Sequence, residues 1–217
     1  MSRQTIAILT SLPLLLLVFF QASPWLLTQG PLNFEMGSDW DWQATLYETC
    51  RQALFVHQQF PTWDPFTQGG IPLLGNPESP CLYPGMLLPG LLGTERGLPW
   101  LALVHLLFLV GAGWWAGRTL GLSPVGAHGA SFFLLSSDFL AGFIAEGRVM
   151  FLMLGWTLVA WAAFRTGRLV LSSVALSLTY LAGGHYLLLF GLLLIGVEAL
   201  LSYLPKERAR WLGLPLL

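Results

Sequence analysis

Asp39 and Asp41 lie two positions apart in the segment GSDWDWQ, residues 37–43, each beside a tryptophan. Three roles fit that spacing. In an extended segment, side chains two apart point the same way, so the pair could hold one hard divalent cation such as Mg or Mn. In a helix they diverge by roughly 200° and act separately, and either could serve as a general base on a hydroxyl. The third role is structural. Ser38 followed by Asp41 resembles a capping box, and acids stabilise a helix N-terminus. Spacing alone favours the cap, because a lone D-x-D is a weak signal.

The elements around this pair are those of a membrane protein. The 217 residues are 55% hydrophobic and only 10% charged, whereas soluble domains carry about 25% charged residues. A net charge of −1 argues against a nucleic-acid partner. Ten tryptophans suit interfacial belts. The run Ile6–Leu27 is longer than the roughly 7–15 residues of a signal-peptide core and has no clear cleavage site, so it reads as an uncleaved first transmembrane helix. Five more spans are expected at Leu98–Gly117, Pro124–Phe143, Val149–Phe164, Leu169–Ala182 and Tyr186–Leu204. The expected fold is an all-α polytopic membrane protein of about six transmembrane helices, forming a single domain over residues 1–217. WLGLPLL at its end reads as the start of a further helix, so truncation is expected.

Basic residues set the orientation. With the N-terminus cytoplasmic, Arg3, Arg118, Arg165, Arg168, Lys206, Arg208 and Arg210 fall inside, and Arg51, Arg96 and Arg148 outside, as the positive-inside rule requires. Nine of the eleven acids fall outside. Acids contribute little to topology, so their one-sidedness points to a functional surface on the extracytoplasmic face.

That face is dominated by the first outer loop, residues 28–97. Trp42, Leu46, Cys50, Ala53 and Leu54 form an apolar stripe at helical spacing. The amphipathic helix it implies either lies in the membrane interface or packs on other helices. Residues 61–85 are too rich in Pro and Gly for a helix and too apolar for a disordered linker. A long ordered loop of this kind is usually functional. Leu82–Leu92 reads as a re-entrant or interfacial piece. Trp63, Asp64, Gly69, Gly70 and Asn76 are expected to shape the loop into a roof over a site, with Asp64 as a turn acid before Pro65. Cys50 and Cys81 share a face that permits a disulfide, but Cys50 also sits on the stripe, and simple packing is the expectation. Glu198, inside the last span, is either functional or paired with a residue on a further helix. His105 and His128 read as hydrogen-bonded groups within spans.

One family shares this pattern. GSDWDWQ, an amphipathic helix, then FPTWDPFTQGGIPLLGNPESPCLYP resembles the first outer loop of YfhO-like proteins of the GT-C superfamily of polytopic glycosyltransferases. Their pattern is G-G-D-W-D-W, about twenty residues, F-P-x-W-[ND]-P-x-x-x-G-G-x-P-x-x-[AG]-N-P-[QE]-S, then x-x-P. It is matched at Gly37, Asp39, Trp40, Asp41, Trp42, Phe60, Pro61, Trp63, Asp64, Pro65, Gly69, Gly70, Pro72, Gly75, Asn76, Pro77, Glu78, Ser79 and Pro84. The resemblance covers most of residues 37–84. It implies a bacterial inner (plasma) membrane enzyme taking sugar from a polyprenyl-phosphate carrier to a glycan, lipid or protein acceptor. It makes Asp39 or Asp41 the general base, and Asp39 is preferred because Asp41 retains the cap role. A departing lipid phosphate needs a cation, and Arg148 and His185 are the candidates, with Glu146 beside Arg148. Relatives read G-H where this chain has Glu146-Gly147-Arg148, so a role carried by that histidine does not transfer. Snorkelling is the alternative for Arg148, and a structural helix-end role is the alternative for His185.

Two other functions compete. A non-catalytic scaffold or accessory subunit would bind lipid or protein through the outer loop. A transporter would place acids and breaks near the bilayer midplane, which the one-sided acids disfavour.

Overall fold

The computed structural model describes Pro13, Val18 and residues 39–203. Ser38, most of the first predicted span and the end of the chain lie outside the described residues. In chain order the elements are α1 (Asp39–Arg51), continued by a π-helical turn (Gln52–Val56), then strands β1 (Trp63–Asp64) and β2 (Ile71–Pro72). A 3-10 turn (Pro84–Met86) leads into α2 (Leu87–Leu92), α3 (Thr94–Thr119), α4 (Pro124–Leu135) and α5 (Asp138–Ala145). A second 3-10 turn (Val149–Met153) precedes α6 (Leu154–Arg165), α7 (Leu169–Leu181) and α8 (His185–Tyr203). Among the described residues the fold is mostly helical, with one antiparallel hairpin pairing Trp63 with Pro72 and Asp64 with Ile71.

The spans differ from the sequence expectation. Among the described residues two helices are long and apolar enough to cross a membrane, Thr94–Thr119 and His185–Ser202. The predicted span at 124–143 is two helices bent by 44°, a third crossing only if the pair counts as one. The bend follows from local chemistry: Ser137 accepts a hydrogen bond from the Leu140 amide and starts a new helix. The predicted span at 149–164 opens as a 3-10 turn, and the one at 169–182 is a helix of 13 residues. At 1.5 Å per residue that helix covers about 20 Å, against about 30 Å of hydrocarbon.

Small residues let the helices approach. A Cβ on Gly113 would lie 2.9 Å from Ser131 Oγ, and one on Gly117 would lie 3.1 Å from the Ala127 Cα. Ser131 donates to the Val110 carbonyl across this α3–α4 contact. Helix α6 is the central one, with Gly155, Ala160, Ala162 and Ala163 buried against neighbours that include α3, α7 and α8. Ser172 Oγ donates to the Ala160 carbonyl at 2.8 Å and ties α7 to it. A buried chain links the 76–84 loop to this core. His105 Nδ1 is 2.8 Å from the Leu101 carbonyl, so it carries the proton and donates. Its Nε2 then accepts from Tyr83 Oη at 2.5 Å, which accepts from Trp156 Nε1 at 3.0 Å.

The two ends of the bundle differ in charge. Arg165 Nε donates to the Thr119 carbonyl, and Arg168 lies over the Trp115 ring, so these basic residues gather at the C-terminal end of α3. Asp39, Glu48, Glu95 and Glu146 lie at the other end, around α1 and the start of α3. Glu198 has a partner among the described helices: Arg165 Nη1 lies 2.5 Å from its Oε1, so no further helix is needed to pair it.

Cys50 and Cys81 form a disulfide, which replaces the packing expectation. Cys50 is fully buried on the α1 stripe as expected, and the bridge is made from that buried position. It closes a segment with a sequence separation of 31 and pins α1 to the 76–84 loop. Replacing both cysteines by serine is expected to lower stability by about 2–4 kcal/mol. A thermal melt of the oxidised protein against the reduced one checks this. An unchanged midpoint would show that the loop is held without the bridge.

Candidate functional site

Helix α1 starts at Asp39, so the D-x-D pair lies in a first turn rather than an extended segment. The two carboxylates diverge, and the arrangement expected for a shared cation is not formed. Among the described residues no group of three or more His, Cys, Asp or Glu gathers as metal ligands.

What Asp39 meets instead comes from residues 146–148. The Asp39 amide donates to the Glu146 carbonyl at 3.0 Å. Arg148 Nε donates to Asp39 Oδ2 at 2.8 Å and lies 3.2 Å from Glu146 Oε2. Between them Gly147 has φ +85°, and a Cβ there would lie 2.2 Å from the Trp40 amide nitrogen. The turn is closed by the Arg148 amide donating to the Phe143 carbonyl and the Val149 amide to the Gly147 carbonyl. Arg148 thus meets Asp39 across 109 positions of sequence. Both carboxylates use its Nε edge. Asp39 keeps Oδ1, and Arg148 its two Nη groups, on a surface where both side chains remain about half exposed. Asp41 is exposed on another side of the turn.

Behind Arg148 stands a file of rings. Its guanidinium lies 5.3 Å from the Phe143 centroid, and Phe143 stacks on Phe151 at 3.9 Å. Phe151 lies parallel to Tyr186 at 6.5 Å, and Tyr186 is next to His185 in sequence and in space. His185 itself heads α8, with Nδ1 3.2 Å from the Gly183 carbonyl. It reaches the Asp39 region through these rings and not by direct contact.

A second clamp comes from the loop at 76–79. Asn76 Oδ1 accepts from the Glu78 amide at 3.0 Å, an Asx turn that presents the Glu78 carboxylate. Trp42 Nε1 donates to that carboxylate at 2.5 Å. The loop seats on the α7–α8 turn, where a Cβ on Gly183 would lie 2.6 Å from the Glu78 carbonyl oxygen. Trp40 is buried and Trp42 is bonded inward, so neither is the exposed interfacial anchor that DWDW suggests. Gln43, one turn on from Asp39, is buried with no hydrogen-bond partner for Nε2 among the described residues.

The remaining loop residues shape the hairpin. Asp64 is fully buried; its oxygens accept from the Phe66 amide at 2.8 Å and the Thr67 hydroxyl at 2.5 Å. Gly69 and Gly70 both take positive φ, and a Cβ on Gly70 would collide with the Trp63 ring. Trp63 itself is exposed.

Further along α1, Glu48 accepts from Arg51, Thr94 and Gln52 at 2.6–2.8 Å, joining α1 to the start of α3. The Arg51 bond foremost, then those from Thr94 and Gln52, bring its carboxyl down to about 2. That lies below the ordinary value of 4.5, so the stabilisation is full above about pH 4.5 and is lost as pH falls towards 2. Because Glu48 is partly exposed, the effect is modest. Glu48→Gln is expected to flatten the fall in melting temperature over that window. An unchanged acid limb in the variant would contradict this role.

Sequence reasoning missed Gly147, Glu78 and the Phe143–Phe151 stack as parts of the site. The glycine carried a signal as a helix-breaking residue between two charges, and Glu78 stood in the N-P-[QE]-S stretch without a role assigned to it. Compared with known proteins, the chain matches no family model, no curated protein and no solved structure.

Proposed function

We propose that this protein is an extracytoplasmic glycosyltransferase of the GT-C type, using a sugar carried on polyprenyl phosphate. The observation that supports it most is the meeting of Asp39 with Arg148, a base and a phosphate-binding cation brought together at the acidic end of the bundle. In this reading Asp39 Oδ1 takes the proton of an acceptor hydroxyl. The acceptor oxygen bonds to the anomeric carbon, and the lipid phosphate leaves with the electron pair of the bond it gives up. Arg148 turns its Nη groups to that phosphate as a fork. Its Nε stays on Asp39, holding the base in place. His185, the other candidate for the phosphate, stands at the head of α8 on the far side of the Phe143–Phe151–Tyr186 file.

The membrane arrangement belongs to the same reading. Crossings by α3 and the α4–α5 pair put Asp39 and Glu146 on the extracytoplasmic face and Arg118 on the cytoplasmic one, with α8 starting at His185 on the outer side; Arg165 and Arg168 join Arg118 when α6 and α7 also cross. Helices α6 and α7 complete the six-span layout if both cross. As a consecutive pair they leave the side of α8 unchanged either way.

The scaffold reading is separated by substitution. Alanine at Asp39 and at Asp41, each in the full chain, is compared for glycan or glycolipid product at equal membrane level. Loss at Asp39 supports the enzyme. Unchanged product in both variants, with normal insertion, would leave a binding role.

A further inference from the structure

The exposed tip of the β1–β2 loop has no place in the reaction just described. Phe66 is 76% exposed, Phe60 65% and Trp63 54%. Between His57 and Glu78 the only charged side chain is Asp64, and it is fully buried with both oxygens bonded within the loop. The surface of this segment therefore carries large apolar groups and no charge. It is also shaped rigidly: Gly70 leaves room for the Trp63 ring, and the Asp64 carboxylate holds the Phe66 amide.

Its position along the bundle says what it meets. Phe66 lines a groove of about 420 Å³ with Thr94 and Glu95, in the first turn of α3. That helix has 26 residues, about 39 Å, so about a turn at each end stands outside a hydrocarbon core of about 30 Å. With α3 centred across the bilayer, the polar first turn, Thr94-Glu95-Arg96-Gly97, stands at headgroup depth. Exposed apolar residues continue down from it, Leu91 on α2 and then Trp100 and Val104 on α3.

We propose that the 60–74 loop is a membrane-interface anchor, with Phe60, Trp63 and Phe66 inserted at the headgroup–acyl boundary of the leaflet where α3 begins. It rests on the reading that α3 crosses the bilayer. Aromatic side chains favour this boundary, and an inserted apolar surface reaches about 5–10 Å into it. The loop then holds the outer segment at fixed depth beside the entry of α3. Lipid, and not a protein partner, is the occupant.

The test uses the absence of free thiols among the described residues, both cysteines being bridged. Phe66→Cys, Phe60→Cys and Leu107→Cys are made singly, labelled with an environment-sensitive fluorophore, and placed in phosphatidylcholine nanodiscs. Lipids carry a doxyl quencher near the headgroup or deep in the chain; iodide probes water. Labels at 66 and 60 are expected to be quenched by the shallow doxyl lipid and shielded from iodide. Leu107, exposed along the middle of α3, is expected to be quenched by the deep one. Iodide quenching at both 66 and 60, with Leu107 still lipid-quenched, overturns the anchor and leaves the crossing. Leu107 open to iodide overturns both. Labels at 66 and 60 shielded from iodide and untouched by doxyl lipid point to a protein cover and overturn the lipid assignment.

Discussion

Asp39→Asn is expected to lower the rate of sugar transfer by about 10²–10⁴-fold, the usual contribution of a positioned general base. The amide keeps the shape and still accepts from Arg148 Nε, so the geometry of the first turn is preserved. The stability cost is small, because an ion pair this exposed is worth about 0–1 kcal/mol. Loss of activity without loss of folding is therefore the signature. Asp41→Asn is the internal comparison. Its carboxylate points away from residues 146–148, and its expected effect is at most a few-fold. Steady-state transfer rates and melting temperatures measured together on both variants check the pair. A large loss at Asp41 with a normal Asp39→Asn rate would reverse the assignment.

Gly147→Val is expected to act through backbone rather than chemistry. The position has φ +85°, which a β-branched residue adopts at a cost of about 1–3 kcal/mol. Its Cβ would also meet the Trp40 amide nitrogen at 2.2 Å, a backbone atom in the first turn of a packed helix. That turn must shift, and it carries Asp39. A displacement of about 1 Å is enough to cost about 10² in rate, so both stability and activity are expected to fall. Gly167→Val provides the contrast. Its φ is +74° but nothing lies within 4 Å of the added Cβ, so only the backbone strain applies. Equal effects at the two glycines, read by thermal melts and transfer rates, would show that the contact with Trp40 is unimportant.

Local patterns were legible in the sequence, and long-range meetings were not. Helix α1 follows the stripe: Leu46 and Cys50 are fully buried, while Trp42 and Leu54 pack partly against the core. Helices α3 and α8 follow long apolar runs, broken only by single polar residues such as His105 and Glu198. In the 124–143 segment Ser136-Ser137 end the first helix early, whereas the 169–182 segment forms one helix to Leu181, close to its expected bounds. The metal reading of Asp39 and Asp41 required an extended backbone, and helix onset at Asp39 removed it. Nothing near Asp39 points to Arg148, because that pairing depends on how α5 and the Gly147 turn return to α1. The disulfide was hidden for the same reason: a separation of 31 residues says nothing about a Cα–Cα distance of 5.0 Å.

Asp39 and Arg148 are proposed to form one site for transfer from a lipid-linked sugar. The most direct test is a single-turnover reaction in nanodiscs, following a radiolabelled polyprenyl-phosphate sugar into product with an acceptor present. The unaltered protein is expected to form product and release polyprenyl phosphate. Asp39→Asn is expected to retain the donor without transferring it, and Arg148→Gln to lose donor retention. Transfer by Asp39→Asn at the unaltered rate would contradict the account.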